Sequence, residues 1–173
     1  MTEMAKLVWR KLRWRDARAF GRRYELLDKG TVAATLRFTG WFHLTAVAES
    51  SDGSWTFKRK GVLRDRIEIS DTAGGKGLGV FRSRLLGGGG TLELPDGHRY
   101  IAATNFWHSR YEVTTETGQE LIRYTGIWRF FRMAATVEIL PGAKDLAELP
   151  WLVPLTWCVI IMRHRDAAMA AAT

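Results

Sequence analysis

The chain has one cysteine, four prolines and four histidines in 173 residues, and only one sustained apolar run. Each shortage excludes something. The single thiol, Cys158, permits no intrachain disulfide and no zinc site built on cysteine spacing, and it favours a reducing compartment. His43, His98, His108 and His164 never fall at the i, i+4 spacing of a helical metal pair, and no acidic motif accompanies them. The basic N-terminus lacks the apolar core and cleavage site of a secretory signal, because Arg10 and Lys11 interrupt Leu7, Val8 and Trp9. A cytoplasmic location is the expectation, at least for the domain.

Signatures of chemistry are equally scarce. Gly74-Gly75-Lys76-Gly77-Leu78-Gly79 is neither a phosphate loop nor a dinucleotide fingerprint, since no Ser or Thr follows Lys76 and no βαβ unit surrounds it. Gly87 to Gly90 reads as a hairpin connection. Ser70, Ser83 and Ser109 lack a nucleophile elbow, and Cys158 sits between Trp157 and Val159 as an inert thiol would. His108, beside Trp107 and Arg110, reads as a strand histidine before a pocket residue. No catalytic pair, metal site or cofactor site emerges, and a non-enzymatic protein is expected.

What is present points to a sheet. A chain of this length makes one domain with a real core. Eight Trp, eight Phe and four Tyr suit a pleated surface. One phrase keeps returning, apolar-Glu-apolar, at Tyr24-Glu25-Leu26, Ile67-Glu68-Ile69, Leu92-Glu93-Leu94, Tyr111-Glu112-Val113 and Val137-Glu138-Ile139. Alternation of period two sends the apolar residues to one face and Glu to the solvent face, where it pairs with Arg or Lys across strands rather than serving a glycosidase. Turn chemistry follows four copies: Asp28-Lys29-Gly30, Asp71 with Gly74-Gly75, Pro95-Asp96-Gly97 and Glu116-Thr117-Gly118.

Return strands are expected at Thr31–Phe38, Gly77–Arg84, His98–Thr104 and Gln119–Tyr124, with others at Trp41–Ala48, Ser54–Lys60 and Ile127–Met133. That makes about twelve antiparallel strands, with Leu7–Trp14 undecided. The Glu phrases recur too irregularly for a propeller or solenoid, so a meander of hairpins fits. The expected division is a basic, aromatic segment over residues 1–20 and one β domain over 21–173.

The apolar run, Leu149–Met162, closes this all-β body with a helix expected over about 145–169. A bilayer span needs about 20 apolar residues, and the run supplies 14, with Pro150 and Pro154 inside it. Asp145 and Glu148 have the spacing of a capping box. A closed sheet of about twelve strands would be hollow unless something roughly 10–12 Å wide filled it, and a helix has that width. The reading is a closed barrel with a central helix built on Trp151, Leu152, Leu155, Trp157, Cys158, Val159, Ile160, Ile161 and Met162. The alternative is a tail-anchored protein with Leu149–Met162 as a short span.

Hairpins of the form Y-E-Φ…D-x-G ending in LPWLVPLTWCVIIMRHRD resemble the tubby C-terminal superfamily, with its tubby-like, LURP-one-related and phospholipid scramblase branches. The resemblance covers about residues 20–168 and rests on layout and hairpin phrasing. It implies a twelve-stranded barrel threaded by a hydrophobic C-terminal helix. The tubby phosphoinositide residues and a scramblase calcium site do not map onto this sequence.

One surface signal remains. Net charge is +8, and residues 1–23 hold eight Lys or Arg against Glu3 and Asp16. Lys6, Trp9, Arg10, Lys11, Arg13, Trp14 and Arg15 interleave cations with indoles. On a helix this is a basic amphipathic face for an anionic membrane; on a strand it is a barrel stave with a solvated side. The expected partner is anionic lipid, or else a protein. The near-balanced charge beyond residue 23 argues against nucleic acid.

Overall fold

The computed structural model describes residues 3–17, 22–39, 45–61, 66–84, 88–105, 107, 109–128 and 133–172. Twelve strands form a closed antiparallel barrel: β1 (Lys11–Asp16), β2 (Arg23–Asp28), β3 (Thr31–Thr39), β4 (Thr45–Ser50), β5 (Gly53–Lys60), β6 (Arg66–Asp71), β7 (Gly77–Ser83), β8 (Gly90–Glu93), β9 (Arg99–Thr104), β10 (Arg110–Thr115), β11 (Glu120–Trp128) and β12 (Ala134–Ile139). Neighbours in sequence are neighbours in the sheet, and β1 pairs with β12 to close the ring. A helix, α1 (Leu149–Ala171), follows β12 after a short 3-10 turn at Pro141–Ala143. No edge is left for another chain to pair with.

The strand count agrees with expectation while the membership differs. Residues 11–16 are a stave, so the undecided N-terminal segment belongs to the barrel. Ile127 and Trp128 end β11 rather than opening a strand of their own. The pairing slips between Thr125 and Trp128, where Gly126 takes a φ of 60°, and this bulge lets one long strand cover what reads as two. Of the expected strand Trp41–Ala48, the part over 41–44 lies outside the described residues, as do residues 129–132, His43 and His108.

Burial alternates along the staves that carry the Glu phrases. Tyr24 and Leu26, Ile67 and Ile69, Tyr111 and Val113, Val137 and Ile139 point inward and are buried. Their glutamates face outward, and all five meet an arginine: Arg15 with Glu25, Arg66 with Glu68, Arg99 with Glu93, Arg110 with Glu112 and Arg123 with Glu138. Such surface pairs contribute little each, about 0–1 kcal/mol, and mainly keep the outer face wet.

α1 fills the barrel. Every residue from Trp151 to Met162 is buried. The helix packs against β3, β4 and β5, where Ala34, Ala46 and Ala48 are fully buried and leave room for its backbone. Facing β7–β10 there is a void of about 10 Å³ between Phe81, Leu92, Tyr100, Tyr111 and the helix residues Leu152, Leu155 and Val159. That is about the least space one water needs, so the interior holds no ligand chamber on this side.

Two features of α1 depart from the sequence reading. The helix begins at Leu149 and runs through Pro154, although an interior proline loses one backbone bond and crowds the preceding turn. Two hydroxyls add bonds to carbonyls near the proline: Thr156 Oγ1 donates to Leu152 O at 2.8 Å, and Tyr124 from β11 donates to Val153 O at 2.6 Å. Enclosure by the sheet supplies the packing that keeps the helix continuous there. The Asp145–Glu148 capping box is not formed; Glu148 is the N-cap residue without a side-chain cap bond, and its carboxylate accepts from Tyr100 Oη instead. Past Met162 the helix continues through Arg163, His164, Arg165 and Asp166 to Ala171, because these charges stand where it leaves the barrel.

Candidate functional site

The N-terminal segment is the site the sequence nominates, and its local structure decides what it offers. Residues Met4–Leu7 form a 3-10 turn whose Met4 and Leu7 plug the barrel end where α1 enters. Trp9 then adopts a φ of 69°, rare for a bulky side chain. Its amide donates to Ile139 O, and its indole is left 78% exposed. β1 follows with strict alternation, so Leu12 and Trp14 point inward and Lys11, Arg13 and Arg15 outward.

That alternation corrects the proposed lipid-binding set. Trp14 is fully buried and cannot reach a membrane; its ring lies parallel to Trp157 with centroids 5.9 Å apart. Three of the cations are engaged within the fold: Lys6 with Glu3, Arg10 with the buried Asp28 carboxylate, and Arg15 with Glu25. Among the described residues, only Lys11 and Arg13 of this set make no ion pair. The seven residues therefore reduce to Trp9, Lys11 and Arg13 as an outward group. A strand assignment would have revealed this, because residues 12 and 14 share the parity of the core face.

The core-helix residues all take the predicted place. Trp157 is the centre of an aromatic cluster: Trp14 and Tyr124 lie parallel to it, at 5.9 and 6.3 Å, and Tyr24 meets it edge-on at 5.9 Å. Burial pushes the Cys158 thiol up, away from the thiolate that a nucleophile needs. Among the described residues, no group of three or more His, Cys, Asp or Glu is arranged to hold a metal, and no helix is long and apolar enough to cross a membrane.

At the opposite end, where α1 leaves, arginines tie helix to rim. Arg163 Nη2 donates to Arg84 O at 3.1 Å and Gly89 O at 2.8 Å. Asp166 accepts two bonds from Arg59, at 2.9 and 2.7 Å. The Arg165 guanidinium sits 4.4 Å from the centre of the Phe38 ring. Arg163 and Arg165, with Asp166, thus fasten α1 to the rim within a helix that continues to Ala171.

The tyrosines report on this interior. Burial raises Tyr24, Tyr100 and Tyr111 to about 12 and Tyr124 in the same direction. These are all four tyrosines of the chain. A phenol whose folded value lies above its unfolded value of about 10 stabilises the fold below that pH, and the contribution is lost as pH rises through the folded value. Phenolate absorbance at 295 nm should therefore stay flat to about pH 10.5 in the native protein and titrate near pH 10 in urea. A native phenolate step at pH 10 with unchanged circular dichroism would contradict the burial described here.

Compared with known proteins, the chain matches no family model, no curated protein and no solved structure.

Proposed function

We propose that the protein is a non-enzymatic, tubby-like barrel that works on the cytoplasmic side at the surface of a membrane containing anionic lipid. The observation that carries this reading is the filled interior. Where other wide barrels keep a chamber, this one holds α1 packed through Met162, and recognition falls to the outer surface. That surface belongs to a chain of net charge +8. Twelve strands threaded by a C-terminal helix agree with what the tubby resemblance implies.

The chemistry is that of a peripheral binder. Lys and Arg near an anionic leaflet contribute about 1 kcal/mol each, and an exposed indole suits the headgroup region. Co-sedimentation checks the reading. The protein should pellet with vesicles containing phosphatidylserine, stay in solution with phosphatidylcholine alone, and be released as salt rises. Equal behaviour with both vesicle types would reject it. A stable protein partner recovered by pull-down, with no vesicle binding, would favour an interaction scaffold of the same fold.

A further inference from the structure

The two ends of the barrel differ in charge, and the difference is written into the sheet register. Toward the end where α1 enters, opposite charges face each other across strands: Glu93 and Arg99, Arg123 and Glu138, Lys11 and Glu138. Around the end where α1 leaves, Arg15 still faces Glu25 and Lys58 faces Glu68, but three other pairings oppose like charges. Arg23 stands opposite Arg37, Lys60 opposite Arg66, and Arg66 opposite Arg82. Directly opposed like charges destabilise a sheet, so three such pairings at one rim are a standing cost.

The fold relieves that cost only in part. Glu25 lies 3.9 Å from Arg23, Glu68 3.3 Å from Arg66, and Glu93 3.6 Å from Arg82. Arg37 and Lys60 make no ion pair among the described residues, and neither does the exposed Arg84 just past Arg82. Meanwhile the opposite end gathers Asp52, Asp71, Asp96, Glu116, Asp145 and Glu148 near its turns and helix start, against Lys6, Lys11, Lys29, Lys76 and Lys144. The molecule is an electrostatic dipole along the barrel axis, basic where α1 emerges.

We infer that this rim, rather than the N-terminal segment, is the face that docks on an anionic phospholipid bilayer. The inference rests on the membrane reading above and names the surface that serves it. A bilayer fits better than a nucleic acid because the cations ring one end instead of following a track, and because Trp107, between β9 and β10 at this end, is 77% exposed. Docking brings lipid phosphates and carboxylates to cations that the sheet itself leaves facing one another.

Two triple variants test this on phosphatidylserine vesicles: Arg37→Gln with Lys60→Gln and Arg84→Gln at the rim, and Trp9→Ala with Lys11→Gln and Arg13→Gln at the N-terminus. About fivefold per cation predicts binding weakened on the order of a hundredfold for the rim variant. The N-terminal variant should bind within a few-fold of wild type. Removing opposed like charges should leave the rim variant's melting temperature equal or higher, which separates lost binding from lost folding. Wild-type-like binding by the rim variant, with loss in the N-terminal one, overturns the rim and leaves the membrane reading standing. A wild-type chain that ignores vesicles, or binds duplex DNA instead, overturns both.

Discussion

Trp157→Ala should cost about 3–5 kcal/mol of unfolding free energy. Trp157 is fully buried, and its neighbours Trp14, Tyr24 and Tyr124 come from β1, β2 and β11, on either side of the β1–β12 seam. Truncation leaves a cavity bounded by three large rings in a closed sheet, which can collapse inward only by distorting its ladder. The seam loses helix-side packing at the same time. Since domains retain only about 5–15 kcal/mol in total, much of the stability should go. Urea unfolding followed by tryptophan fluorescence checks it, with Trp107→Ala as the exposed comparison expected within about 0.5 kcal/mol. A midpoint for Trp157→Ala close to wild type would mean that the cluster is not a centre of stability.

Ending the chain at Glu148 should abolish the native state altogether. The segment removed buries Leu149, Trp151, Leu152, Leu155, Trp157, Ile160 and Ile161 among others. A fully buried side chain of this kind contributes about 1.5–3 kcal/mol, so the sum exceeds the net stability of an ordinary domain. The twelve strands would then surround an apolar void. The shortened chain is expected to aggregate or to lose its near-ultraviolet circular dichroism while binding hydrophobic dye. A monomeric chain with native near-ultraviolet signals would show that the helix is an appendage. A tail-anchored protein should instead become more soluble on losing its apolar segment, so this one measurement separates the two architectures.

Much of this architecture could be read from residues. The Glu phrases carry their own face assignment, and each of the five glutamates lies outside with an arginine. The short run Leu149–Met162 with its two prolines pointed inward, and it is buried. The N-terminal segment was harder, because Lys11-Leu12-Arg13-Trp14-Arg15 satisfies both a helical and a strand pattern. What decides it is tertiary: β12 would otherwise present an open edge, and β1 covers it. Trp14 follows from that choice, so one unresolved period placed a core residue among the lipid-binding candidates. Pro154 was read by its local rule alone; the burial by the surrounding staves that keeps the helix continuous through it is tertiary. The rim was illegible for a stronger reason. That Arg23 faces Arg37, or Arg66 faces both Lys60 and Arg82, depends on register, which no single segment encodes.

The seam between β1 and β12 sets the timetable of folding. Most pairings join strands adjacent in the chain and can form as hairpins on their own. Lys11, however, waits for Glu138, and the filler of the ring is synthesised later still. During synthesis the first eleven strands must exist as an unclosed, unfilled sheet with two bare margins, the kind of species that associates with its own copies. Closure then has to gather both margins and α1 in one late step, so the folding rate should answer to changes at the seam and in the helix more than to changes in the hairpins.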